Sequence, residues 1–252
     1  VIREVSRKEY VEKKPLLAIA FTLVLCVTAA IPFVFTYSLK IAYAAAATQD
    51  TAQLILANFR SYAVFVESEW LARNLARILS LLALIAGSGA IAGEREARTL
   101  PLLYTSALPL RSIAAIKFCV IAAWLFLVTF ASFGVLTAHS LVERLPLPIE
   151  VVAVASVVAF ANAMAFLAVV FAASSLMNRT IFAAILALVL GFSAAGVLHL
   201  FGLNGTALAT NIVAVDGSLI WQNAWLDVLV SFLIVLIGLL VTFIEVDRRR
   251  AA

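Results

Sequence analysis

The sequence predicts an all-α integral membrane protein with six transmembrane helices, and three observations carry that prediction. The 252 residues are 65% hydrophobic and 13% charged, against about 25% charged in a soluble domain. Charges that sparse do not cover a water-facing surface, so lipid must serve as solvent. The apolar runs are long and continuous rather than alternating. This selects helices over a closed barrel, the other structure whose backbone groups stay paired in hydrocarbon. Lysine and arginine also cluster at the ends of the runs. The net charge of +4 is therefore no nucleic-acid footprint.

Taken in order, residues 1–14 mix Ile2, Val5, Glu9 and Glu12 with Arg3, Arg7, Lys8, Lys13 and Lys14. They read as an interfacial helix, basic face toward anionic headgroups, feeding the first span. That span covers about 16–39, with Pro15 at its start and Pro32 as a kink point. Residues 1–14 are too charged, and 16–39 too long, for a cleaved leader, so the run is expected to remain as a span. Residues 40–69 form a polar, alanine-rich outer segment, and Tyr62 and Trp70 suit an interfacial belt. The second span covers about 71–92. Arg73 and Arg77 in its first turns snorkel to headgroups, and Gly89-Ala90-Ile91-Ala92-Gly93 admits a close neighbour just before a charged turn.

That turn is followed by the longest polar interruption between two runs on the basic side, residues 93–112. Charged residues crowd its ends, and a short apolar helix is expected over 100–108. Pro101 fits the first helical turn and Pro109 ends it. Such a helix rests on lipid or docks into another protein. The third span covers about 113–138, with Lys117 near its inner end, and a short outer turn over 141–148 leads to the fourth at about 151–176. Asn162, near the middle of that span, should face protein rather than lipid. Asn178-Arg179-Thr180 turns the chain into a fifth span at about 181–201. The uncharged stretch continues beyond the roughly 20 residues of one crossing. Gly202-Leu203-Asn204-Gly205 supplies a break, so a re-entrant outer element is expected over 205–225, with Trp221 and Trp225 at the interface. The sixth span covers about 226–244, and Asp247-Arg248-Arg249-Arg250 follows it.

Thirteen lysines and arginines fall on the side of both termini and five on the other. The positive-inside rule then places both termini and the 93–112 loop in the cytoplasm of a multi-pass cell-membrane protein. The chain reads as one domain, 1–252, without a tandem repeat.

Catalytic and metal chemistry are poorly supplied. No G-x-x-x-x-G-K-[ST] run exists, so the chain carries no P-loop to cradle ATP, and any ATPase is a separate polypeptide. Gly191-Phe192-Ser193-Ala194 resembles the G-x-S-x of rhomboid proteases. His199, six residues on, points about 240° away around the helix and is no base for that serine. His139 and His199 lack the cysteines or paired carboxylates that complete a metal site, and Met164 and Met177 form no thioether ladder. Cys26 and Cys119 lie in apolar runs without ligand spacing and read as buried bystanders. Of the sequons at Asn178 and Asn204, this topology exposes only the second outside.

The 93–118 stretch reads Gly93-Glu94-Arg95-Glu96, Thr99-Leu100, Leu102-Leu103, Leu108-Pro109, Arg111 and Lys117-Phe118. It resembles the permease subunits of ABC-2 type transporters, the group of the NosY-like and gliding-motility permeases. Their motif runs G-E-R-E-x-G-T-L-x-L-L-L-x-x-x-L-P-x-x-R, with a basic residue opening the third span. Arg7-Lys8-Glu9-Tyr10 is similar to that family's elbow helix. The likeness covers the whole chain in architecture and about twenty positions in motif. Arg98 stands where the family usually has glycine, and Pro101 where an acidic residue is common.

The resemblance implies two permease chains, identical or different, above two ATPase subunits that hold ATP and Mg. The chain itself then carries no cofactor and is no enzyme. The 100–108 helix becomes a coupling helix in a groove of the ATPase. Leu100, Leu103 and Tyr104 provide burial at about 25 cal/mol per Å². Glu94, Arg95, Glu96, Arg98, Thr99 and Arg111 fix register. The 205–225 element becomes an outer gate, open to an accessory protein, and Asn162, Thr129 and Ser132 become pathway candidates. Export is the implied direction. Two other readings stay open. A secondary transporter or channel would want a mid-span carboxylate, whereas Glu150, Asp227 and Glu245 fall near span ends. An ABC-type complex passing force or signal to an outer partner would want a dry, packed interior around Asn162, Thr129 and Ser132.

Overall fold

The computed structural model of the chain describes residues 15, 18, 19, 22–28, 30, 75–99, 109–143, 149–200 and 221–251. All regular structure among them is helical: residues 22–28, then α1 (Ala76–Ser88), α2 (Ala92–Glu96), α3 (Leu110–Glu143), α4 (Ile149–Leu176), α5 (Thr180–Leu200) and α6 (Trp221–Ala251). Among the described residues, four stretches are long and apolar enough to cross a membrane: Arg77–Glu96, Leu110–Val142, Ile149–Leu176 and Trp221–Arg248. The apolar part of α5 is shorter, Thr180–Ala194. The expected elbow helix with Arg7, Lys8 and Glu9 lies outside the described residues. So do Pro32, Arg73, the 100–108 helix with Leu100, Leu103 and Tyr104, and the outer element up to residue 220.

α4 is the hub, packed against α1, α3, α5 and α6. Its composition explains why. Alanines and serines recur along it, and such small side chains let neighbouring backbones come close where lipid offers no hydrophobic drive for association. Val152, Ala163, Leu167 and Phe171 of α4 meet Leu79 of α1 and Leu125 of α3 in the main core. Phe118 and Phe171 pack edge to face with centroids 5.3 Å apart. The large apolar side chains of α5 and α6 point outward instead, among them Ile185, Phe192, Phe232 and Ile237. These outward faces suit lipid contact.

Three boundaries differ from the sequence reading. α1 ends at Ser88, and the chain turns over Gly89–Ile91 before α2, so the second span does not run unbroken to 92. α3 has 34 residues, about 50 Å at 1.5 Å per residue, and so overshoots a bilayer core of about 30 Å. α6 begins at Trp221, placing Trp221 and Trp225 in its first turns rather than in a separate element. No glycine or proline interrupts the sequence there until Gly238, so nothing stops the helix from starting early. Asp227 therefore sits well inside α6, 4% exposed, on the same face as buried Ala224 and Ser231. The cysteines also depart from expectation, since Cys26 and Cys119 are both exposed. A thiol behaves as a small hydrophobe and is tolerated facing lipid.

Candidate functional site

The site is built where α1 stops. The turn at 89–91 leaves the Ser88 carbonyl and the Ile91 and Ala92 N–H groups to be satisfied from outside the helix. Ser174 of α4 serves all three. Its Oγ accepts from Ile91 N and Ala92 N at 3.0 Å each and donates to Ser88 O at 2.8 Å. One hydroxyl has one proton and two lone pairs, so its whole capacity is used. At the expected small-residue contact, a Cβ on Gly89 or Gly93 would lie 3.7 or 3.6 Å from the Thr180 side chain, ordinary van der Waals distances that require no glycine. Gly87 is tighter still, with an added Cβ only 2.9 Å from Val170 Cγ1.

Lys117 of α3 reaches the same turn. Its Nζ donates to Ala90 O at 3.0 Å and pairs with Glu94 Oε1 at 2.8 Å. The two side chains are 6% and 15% exposed. Glu94 Oε2 accepts from the Thr99 hydroxyl, and Thr99 N donates to Glu94 O at 2.9 Å. An isolated charge at such a place carries a desolvation cost of several kcal/mol, which a well-bonded partner offsets.

The next two residues turn to other helices. Arg95 Nη1 donates to Ser175 O at 2.7 Å and Met177 O at 2.8 Å, capping the C-terminal, partly negative end of α4. Glu96 Oε2 accepts from Thr180 N at 3.1 Å, placing a carboxylate at the partly positive start of α5. Consecutive side chains 94–96 thus grip α3, α4 and α5.

α2 ends in a Schellman turn. Arg98 N donates to Arg95 O at 3.0 Å and Thr99 N to Glu94 O at 2.9 Å. Arg98 occupies the left-handed position of that turn with φ +56°, alone among the described non-glycine residues. This is the position that glycine usually fills. Its side chain is exposed. Arg111, at the start of α3, pairs with Asp247 near the end of α6, both about half exposed.

Glu94, Arg95, Glu96, Arg98 and Thr99 are therefore gathered on one turn, with Arg111 on a separate pair. Asn162, Thr129 and Ser132 lie elsewhere and share no hydrogen bond. Asn162 is 2% exposed and accepts from Ser231 of α6 at 2.8 Å. Thr129 donates to Leu125 O at 2.7 Å within α3, while Ser132 accepts from Thr28 at 3.3 Å. Sequence reasoning missed Ser174 and the partner of Lys117. A lysine at the fifth residue of an apolar run was the available signal, since burial there requires an acid nearby. Ser193 is exposed, and an added Cβ on Gly191 would strike the Phe166 ring at 2.5 Å, in keeping with a packed small-residue helix. No group of three or more histidine, cysteine or acidic residues stands ready for a metal among the described residues. The arrangement is mechanical: a rigid polar joint at one end of a helix bundle. No protein-family model matches the chain, and no curated protein does.

Proposed function

We propose that the chain is the membrane-spanning permease subunit of an ABC transporter. It works as a dimer of permease chains and is driven by a separate ATPase docked on the cytoplasmic 94–111 loop, most simply as an exporter. One observation carries this reading: the turn leading into residues 100–108 is tied to α3, α4 and α5 by Glu94, Arg95 and Glu96. Force applied at the apolar segment would reach three helices through short polar bonds without first bending a loose loop. The left-handed Arg98 adds support, because the resembled motif has glycine at this place. With Glu94, Arg95 and Glu96 engaged inside the chain and Arg111 paired with Asp247, register with the ATPase falls chiefly to exposed Arg98, and burial to Leu100, Leu103 and Tyr104. Closure of the ATPase pair would then bias two orientations of the spans.

The test is co-purification from mild detergent. The intact chain should bring down an ATP-hydrolysing subunit, and Leu103→Glu should release it while leaving the chain inserted and folded. An intact chain that brings none, or a Leu103→Glu variant that keeps its partner, would overturn the reading. A second reading, an ABC-type complex that passes force or signal outward, has its own support. Thr129, Ser132 and Asn162 are almost fully buried and bonded inside the chain. The described part of one chain offers them to no solute. Unchanged solute flux with intact ATP hydrolysis in reconstituted vesicles would favour it.

A further inference from the structure

At the end of the bundle opposite the charged turn, α3, α4 and α6 do not close on one another. Between them lies a half-open cleft of about 230 Å³. Phe130 and Phe133 of α3, Val154 and Val158 of α4, and Trp225 and Val228 of α6 contribute to its walls. Among the described residues, no charged or hydroxyl-bearing side chain lines it. Water needs two to four polar partners to occupy such a space, whereas a dry cavity of about 150 Å³ already takes benzene. An apolar occupant would gain dispersion contacts along its whole wall. Something apolar belongs there.

Three features on the molecule identify it. The walls come from helices that qualify as membrane spans, so the medium at the mouth is lipid. Trp221 and Trp225, one turn apart at the start of α6, form the rim and are 47% and 61% exposed. Tryptophan settles at the headgroup level, with its ring apolar on one side and its N–H near water. The cleft therefore lies just below the interface, at the depth of the first methylenes of a lipid tail. Its size completes the assignment: a packed helix is about 10 Å across and cannot enter, but a single hydrocarbon chain can. We propose that this cleft is a binding site for one acyl chain of a bilayer lipid, with the headgroup held at the level of Trp221 and Trp225. The site is independent of any ATPase partner.

The experiment places the chain in nanodiscs doped with a trace of phosphatidylcholine carrying a diazirine on its acyl chain, and maps the adducts after illumination. Adducts should concentrate in residues 153–158 and 221–228, well above those on Ile181 and Phe182, which are exposed on α5 and report ordinary lipid contact. Ala153→Phe and, independently, Val154→Phe fill the cleft. Filling the cleft should remove the excess, lowering cleft adducts to the α5 level or below, with the α5 adducts unchanged. Those α5 adducts and retained helicity show that a variant is still folded. Equal labelling of cleft and α5, no effect of either filling variant, or crosslinks from the cleft to a second protein chain would each overturn the proposal.

Discussion

Lys117 and Glu94 are separated by 23 positions in sequence and 2.8 Å in space. A cation and an anion that deep each offset part of the other's desolvation cost. Lys117→Met should leave Glu94 largely desolvated without its counter-ion and destabilise the fold by about 3–5 kcal/mol. Adding Glu94→Gln to Lys117→Met should recover part of that loss, since no charge then remains buried. Denaturant unfolding in detergent reads the cycle, and strictly additive losses would show that the pair does not act as a unit. Arg98 offers a change of opposite sign. A non-glycine residue in the left-handed region costs roughly 1–2 kcal/mol. Arg98→Gly should accordingly raise stability by about 1 kcal/mol. Arg98→Ala keeps the Cβ and should not; equal gains from both would trace the effect to charge rather than backbone. The sequence showed Arg98 as a departure from a glycine motif, but nothing in it tells whether the backbone there stays left-handed. The Schellman hydrogen bonds answer that.

Among elements, two glycines in long helices look alike in sequence and differ completely in packing. Gly238 of α6 lies against α4 so closely that an added Cβ would sit 2.8 Å from the backbone carbon and oxygen of Ala168. Backbone cannot step aside as a side-chain tip does. Gly238→Ala should therefore part α6 from α4 and cost about 1–3 kcal/mol. Gly134 of α3 has nothing within 4 Å of an added Cβ. Gly134→Ala should stabilise by about 0.5–1 kcal/mol through helix propensity alone. Thermal unfolding of the two purified variants checks the pair, and a shift of the same sign in both would contradict the packing described. The sequence marked Gly89 and Gly93 as one helix face, but α1 ends at Ser88 and both meet Thr180 only at ordinary van der Waals distance. It could not announce Gly238, since a lone glycine becomes a contact only when a partner helix is chosen. Ser174 was illegible for the same reason: it answers a break in α1 from 83 residues away.

At the scale of the whole molecule, the lipid-facing, all-helical character was plain in composition, because no arrangement of so few charges makes a water-soluble surface. The hub was not. A mostly buried helix shows no clear amphipathic stripe, and in lipid an exposed face is apolar as well, so the sequence does not tell α4 from α6 as the hub. What the fold does fix is polarity along the bundle. Arg98, Leu110 and Met177 mark one end, and Trp221, Ile149 and Leu141 the other. Arg98 and Gln222 are both exposed, at opposite ends. In a background with Cys26 and Cys119 replaced by alanine, Arg98→Cys and Gln222→Cys should react with a membrane-impermeant maleimide from opposite faces only. The lysine and arginine bias requires Arg98→Cys to label in inside-out vesicles and Gln222→Cys in intact cells. The reverse pattern would keep the bundle and invert the protein, and the 100–108 segment would then face away from any cytoplasmic ATPase. Labelling of both from one face would mean that the helices do not cross, because a single α3 of this length joins the two ends.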